Sequence, residues 1–127
     1  MVVDDELISR KKLVSILSDK GAIVECEGGD QALEEYEKAW KENTPFELIT
    51  LDIYMPDKSG LDVLPIIREI ESKYRRPEQK KCVITMITSD REYSTIVGAI
   101  QNECNDYLSK PFEKDFVLSR FEEWMAD

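Results

Sequence analysis

The sequence predicts a three-layer α/β protein, five parallel strands and five helices in strict alternation. Three observations carry that expectation. Short apolar stretches and amphipathic ones take turns along the whole chain. The apolar stretches are brief and rich in Val, Ile, Leu or aromatic residues, as strands buried on both faces are. Strict βα alternation with right-handed crossovers then leaves few topologies, and five strands suit the flavodoxin-like order 2-1-3-4-5.

The expected strands are Met1–Asp4, Ile23–Cys26, Leu48–Asp52, Cys82–Thr88 and Asp106–Ser109. Between them, residues at helical spacing form apolar faces. Leu13, Ile16 and Leu17 mark the first helix, and Ala32, Leu33, Tyr36 and Trp40 the second. Leu64, Ile67 and Glu71, with Ile70 beside them, mark the third. Ile96, Ala99 and Ile100 mark the next, and Leu118, Phe121, Trp124 and Met125 the last. Lys20-Gly21 is expected to end the first helix, and Asp30, after Gly28-Gly29, to cap the second. Thr44-Pro45 and Arg76-Pro77 fall in connections. Tyr36 and Trp40 are expected in the core, Cys26 and Cys104 as small buried fillers.

The chain has 127 residues, enough for one domain with a real core, and it is read as a single domain over 1–127. No apolar run approaches the roughly 20 residues of a membrane span, and no signal-peptide pattern opens the chain. Three cysteines without CxxC spacing argue against a disulfide framework and fit a reducing cytoplasm. A net charge of −10 argues against direct nucleic-acid binding. Histidine is absent, which removes Ser-His-Asp triads and the usual zinc sites. Any chemistry must run on carboxylates, hydroxyls, amines or main chain.

In a sheet of this order the site forms beyond the carboxyl ends of the strands. The first strand ends in Asp4-Asp5-Glu6, the third in Asp52, the fourth in Thr88-Ser89 and the fifth in Ser109-Lys110-Pro111. Taken alone, Asp4-Asp5 reads as a helix N-cap pair, Thr88 as an ordinary strand end and Lys110-Pro111 as a turn. Asp57 and Asp62 read as a turn residue and a first-turn helix acid. The convergence at neighbouring strand ends is what favours a site. Crowded carboxylates need a cation among them, and Lys110 or a divalent ion with oxygen ligands would serve; Mg²⁺ suits such a set, with Mn²⁺ as the alternative.

The stretches "VVDDE", "LITLDIYMPDKSGLDVL", "VITMITS" and "DYLSKPF", in this order and spacing, resemble the receiver domains of two-component response regulators, the CheY-like family. The resemblance covers essentially the whole chain. It implies a phosphorylation-dependent switch in a phosphorelay rather than an enzyme with a separate substrate. Asp52 would be the phosphoacceptor, taking the group from a phosphohistidine on a sensor histidine kinase or a histidine phosphotransfer protein. Asp4 and Asp5 would hold Mg²⁺ with Asp52 and the main-chain carbonyl of Tyr54, Asp5 being the more direct ligand. Lys110, Thr88 and the main chain of Ser89 would bind the phosphoryl oxygens, and Tyr107 would change rotamer with Thr88. The Lys110–Pro111 bond would be cis and orient Lys110. Tyr54 and Asp90 would tune dephosphorylation.

The output face implied is built from the helix around Ile96–Ile100, the fifth strand and the last helix. It would meet a downstream effector domain or protein, or a second copy in a homodimer. Trp124 and Met125 would seal the last helix or face such a partner. The chain departs from the family in three places. The apolar residues that usually precede the acidic pair are missing, so the first strand is expected to be shortened, in a domain standing alone or excised from a longer regulator. Lys58 stands where Met is common, and Glu103-Cys104 where Gly-Ala is usual, leaving Asn102 or Asn105 to cap that helix. Two other readings compete. A Mg²⁺-dependent phosphatase with an Asp nucleophile would want a second Asp at position 54, where Tyr stands; a receiver used only for docking would not need the acidic cluster.

Overall fold

The computed structural model describes residues 1–89, 98 and 103–126. The predicted helix around Ile96–Ile100, Asp90 and Asn102 lie outside the described residues. Within them, five parallel strands form one sheet in the order β2-β1-β3-β4-β5, as the sequence predicts. The strands are β1 (Val2–Val3), β2 (Glu25–Cys26), β3 (Leu48–Asp52), β4 (Val83–Thr88) and β5 (Asp106–Ser109). Four described helices connect or follow them: α1 (Leu7–Leu17), α2 (Gly29–Lys41), α3 (Gly60–Tyr74) and α4 (Lys114–Met125).

The two-residue β1 nonetheless pairs on both sides, Val2 and Val3 standing opposite Glu25 and Cys26 on β2 and opposite Thr50 and Leu51 on β3. Successive strand residues face opposite sides of a sheet, so the two valines enter different cores. Val3 joins Cys26, Tyr36, Ile49, Leu51 and Ile67 under α2 and α3. Val2 joins Leu13, Leu17, Leu108, Val117 and Trp124 under α1 and α4. The result is the three-layer arrangement. Tyr36 is fully buried and Trp40 nearly so, and Cys26, Cys82 and Cys104 are buried free thiols.

Several boundaries differ from expectation for identifiable reasons. Helix α1 ends at Leu17, before Lys20-Gly21, because the amides of Ser18 and Lys20 turn back to Ser15 and Leu17. Helix α2 is not capped by Asp30, which lies inside its first turn; the N-cap is Gly28, which has no side chain to offer. The carboxylate of Asp57, from the loop after β3, accepts from the amides of Gly29 (3.1 Å) and Asp30 (2.8 Å) instead. Asp57 is thus a cap for a helix 27 residues earlier as well as a turn residue. Asp62 lies in the first turn of α3, as expected, behind an Ser59 N-cap whose hydroxyl accepts from Leu61 N–H.

The carboxamide oxygen of Asn105 accepts from Ile84 N–H and from Arg68; the helix it is expected to cap lies outside the described residues. Arg68 in turn meets the buried carboxylate of Glu71, which accepts from Cys82 N–H at 2.6 Å. Glu71 lies on the apolar face of α3 because these donors satisfy it there. Trp124 is buried and donates its indole N–H to Asp106, so it seals α4 against β5.

Candidate functional site

The register of the sheet assembles the site. Asp52 ends β3 opposite Ile87, and Val3 is opposite Leu51, so Asp4 comes level with Asp52 on the adjacent strand. Thr88 is opposite Ser109, so Lys110 follows directly on the next strand, its N–H donating to Thr88 O at 2.7 Å. The Lys110–Pro111 bond is cis. Neighbouring strands lie about 4.8 Å apart, which brings Asp4, Asp52, Thr88 and Lys110 into one row.

Side chains close that row into a cluster. Asp4, Asp5 and Asp52 each offer a carboxylate oxygen, all within 4.8 Å of one another. Asp4 and Asp52 are buried, whereas Asp5 is exposed. The Lys110 ammonium lies 2.9 Å from Asp4 Oδ2 and 3.5 Å from Asp52 Oδ2. The other oxygen of Asp4 accepts from Glu6 N–H at 2.9 Å, so Asp4 also steadies the entry to α1.

Burial pushes Asp52 up to about 7, with the Asp4 carboxylate adding to the effect; Lys110 and the Tyr54 N–H oppose it. Burial alone would lower the Lys110 ammonium, but its hydrogen bond to Asp4 and the charge of Asp52 more than offset this, and it is raised. A hard cation relieves such an acidic cluster, and the donor set is entirely oxygen, as Mg²⁺ requires. Asp4, Asp5 and Asp52 each offer one oxygen with which such an ion could be held.

Thr88 is buried at the end of β4, Ser89 is exposed beyond it, and Tyr107 is 40% exposed on β5. Tyr54 is 44% exposed. With Asp5, Ile53, Met55, Pro56 and Ser59 it lines an open depression of ≈ 300 Å³ beside the cluster. The loop reaches this position because residue 60 is glycine. A Cβ there would stand 2.2 Å from the carbonyl oxygen of Asp52.

Two side chains that support the site escape a reading of motifs alone. Lys12 donates to the carbonyl of Phe112 and lies 5.0 Å above its ring, bracing the segment after Lys110-Pro111. Arg10, only 6% exposed, donates to the carbonyl oxygen of Asp4 at 2.9 Å. Their sequence signal is positional: Arg10 falls three and seven residues before the buried Leu13 and Leu17. An arginine on an apolar helix face has to find acceptors.

A profile of the response regulator receiver domain family matches residues 1–122. The chain is 34% identical over 120 residues to chemotaxis protein CheY of Bacillus subtilis, covering 93% of this chain and 89% of that protein. It is 31% identical over 121 residues to the transcriptional regulatory protein DltR of Streptococcus agalactiae, covering 94% of this chain but 48% of DltR. Among solved structures, chemotaxis protein CheY4 of Vibrio cholerae superposes with a TM-score of 0.77 at 25% identity, covering 98% of this chain and 95% of that one. The receiver domain of NtrX from Brucella abortus gives 0.74 at 28% identity, covering 98% and 95%. The chain belongs to the response regulator receiver domain family of two-component signalling. Among the described residues, no helix is long and apolar enough to cross a membrane.

Proposed function

We propose that this receiver is a phosphorylation-dependent switch whose phosphoacceptor is Asp52. The observation that carries the reading is the convergence of Asp4, Asp5 and Asp52 within 4.8 Å of one another, with the Lys110 ammonium against Asp4 and Asp52. The donor is a phosphohistidine on a sensor histidine kinase or histidine phosphotransfer protein. An Asp52 carboxylate oxygen attacks phosphorus as the P–N bond breaks, its electron pair leaving with the imidazole, and an acyl phosphate forms. Such transfers depend on positioning and charge neutralisation more than on general-base chemistry, in keeping with a chain that has no histidine.

Asp5, Asp52 and the Tyr54 carbonyl would hold Mg²⁺, or Mn²⁺, with Asp4 beside them. When bound, the ion supplies positive charge against the phosphoryl oxygens. Lys110 turns from Asp4 toward those oxygens, and the Thr88 hydroxyl and Ser89 main chain donate to them. A phosphoryl group carries a charge near −2. It draws Thr88 inward and lets the exposed Tyr107 follow, reshaping the face that includes β5 and α4 and the helix predicted around Ile96–Ile100. That face meets a downstream effector domain or protein, or a second copy of the chain, in the cytoplasm. DltR, a longer regulator of which this chain matches half, supports the effector reading. Tyr54, which lines the depression, and Asp90 set the lifetime of the acyl phosphate by controlling how water reaches it.

The chain's own chemistry is confined to gaining and losing this group. Incubation of the purified protein with a small phosphodonor, with and without Mg²⁺, tests the reading by intact mass. Gain of one phosphoryl group only with the ion supports it; no gain in either condition contradicts it.

A further inference from the structure

Helix α1 carries three consecutive cations, Arg10, Lys11 and Lys12, and they are placed very differently. Lys11 is solvent-exposed and, among the described residues, pairs with Glu25 at 2.9 Å. The Arg10 guanidinium is buried and uses all three nitrogens. Nη1 donates to the Asp4 carbonyl at 2.9 Å, Nε to Glu25 at 3.1 Å and Nη2 to Glu27 at 3.4 Å. A guanidinium offers donors in a rigid planar fork, so three acceptors fix its orientation. That orientation in turn fixes the Asp4 carbonyl.

The residue so held begins the acidic turn. Asp4 N–H donates to Cys26 O at 3.0 Å, its carboxylate accepts from Glu6 N–H, and Arg10 takes its carbonyl. Only the main chain of Asp4 connects β1 to the exposed Asp5. We infer that Arg10 is a positioning residue for the metal-binding turn, using Glu25 on β2 and Glu27 just beyond it as an anchor for the Asp4 carbonyl and so for the direction of the Asp5 carboxylate. This rests on the Mg²⁺ reading above for its consequence, but the pin itself exists without metal. Outer-sphere partners of this kind are worth 10–100-fold in metal affinity.

The test compares Arg10→Gln, Arg10→Lys and Lys11→Gln in the intact chain by Mg²⁺ calorimetry and, without metal, by amide exchange. Arg10→Gln is expected to weaken Mg²⁺ binding about tenfold. It should also speed exchange of the Asp4 and Glu6 amides while β4 amides keep their protection. Arg10→Lys, which keeps charge but not the fork, should recover part of the affinity. Lys11→Gln, which removes charge beside the same Glu25, should change neither. Unchanged exchange at Asp4 and Glu6 in Arg10→Gln would overturn the inference, as would an equal loss of affinity in Lys11→Gln. Absence of Mg²⁺ binding by the parent, with the exchange result as expected, would remove the metal reading and leave the pin standing.

Discussion

Lys110 lies closer to Asp4 (2.9 Å) than to the proposed phosphoacceptor Asp52 (3.5 Å). The lysine therefore balances two buried carboxylates at once, and neither is bonded to it alone. Its side chain is 15% exposed, so little water shares the task.

Lys110→Met should remove that balance. Breaking a buried ion pair by deleting one partner costs about 3 kcal/mol. We expect a loss of that size in urea unfolding of the metal-free protein at pH 8. The loss should shrink at pH 5, where Asp52 takes up a proton and one carboxylate charge disappears. An equal loss at both pH values would show that Lys110 acts by packing.

The pH dependence of the wild type follows from Asp52. The folded protein raises its carboxyl from 3.8 to about 7, so folding favours the protonated form. That contribution is fully present below pH 3.8 and is lost as the pH rises to about 7. At most it amounts to about 4 kcal/mol. Asp52→Asn should lack this component of the pH dependence and be more stable than the wild type at pH 8 without metal. Mg²⁺ should stabilise the wild type more at pH 8 than at pH 5. Parallel pH profiles for the two proteins would contradict this.

Asp57 caps α2 across the molecule, and its two backbone donors hold its carboxylate below the ordinary range. Its contribution is present above the unfolded value near 3.8 and is lost as the pH falls through the lower folded value. Asp57→Ala should lower the urea midpoint by the equivalent of about 1 kcal/mol at pH 7. Asp57→Asn, which keeps an acceptor, should lose less.

Gly60 and Gly21 make a matched pair. A Cβ at Gly60 would meet the Asp52 carbonyl at 2.2 Å, whereas nothing lies within 4 Å at Gly21. Gly60→Ala should cost about 2 kcal/mol and slow phosphoryl uptake, because relief must move Asp52 or its loop. Gly21→Ala should leave both within error.

How much of this was legible in the sequence depends on range. The alternation of elements, the five strands and the row Asp4, Asp52, Thr88, Lys110 come from periodicity and strand ends, which are local. The cap of α2 departs from the local pattern, because the capping carboxylate comes from Asp57, distant in sequence, while Asp30 merely stands where a local cap would. Asn105 likewise ties Arg68 of α3 to Ile84 of β4 through one oxygen, partners its local pattern does not announce. In the sequence Arg10 is one of three consecutive cations, Arg10-Lys11-Lys12. Its spacing to Leu13 and Leu17 marks it for burial, but only the three-dimensional contact shows that its partner is the Asp4 carbonyl. A local pattern can mark such a residue for burial, but it does not name the neighbouring element that the residue serves.

The central claim is that Asp52 carries the phosphoryl group, and trapping the acyl phosphate tests it most directly. After reaction with a small phosphodonor and Mg²⁺, borohydride reduction converts a phosphorylated aspartate to homoserine, which peptide mass mapping locates. The structure predicts homoserine at position 52, and none in the Asp52→Asn protein. Homoserine at position 4, 5 or 57 instead, or continued phosphoryl gain by Asp52→Asn, would contradict it.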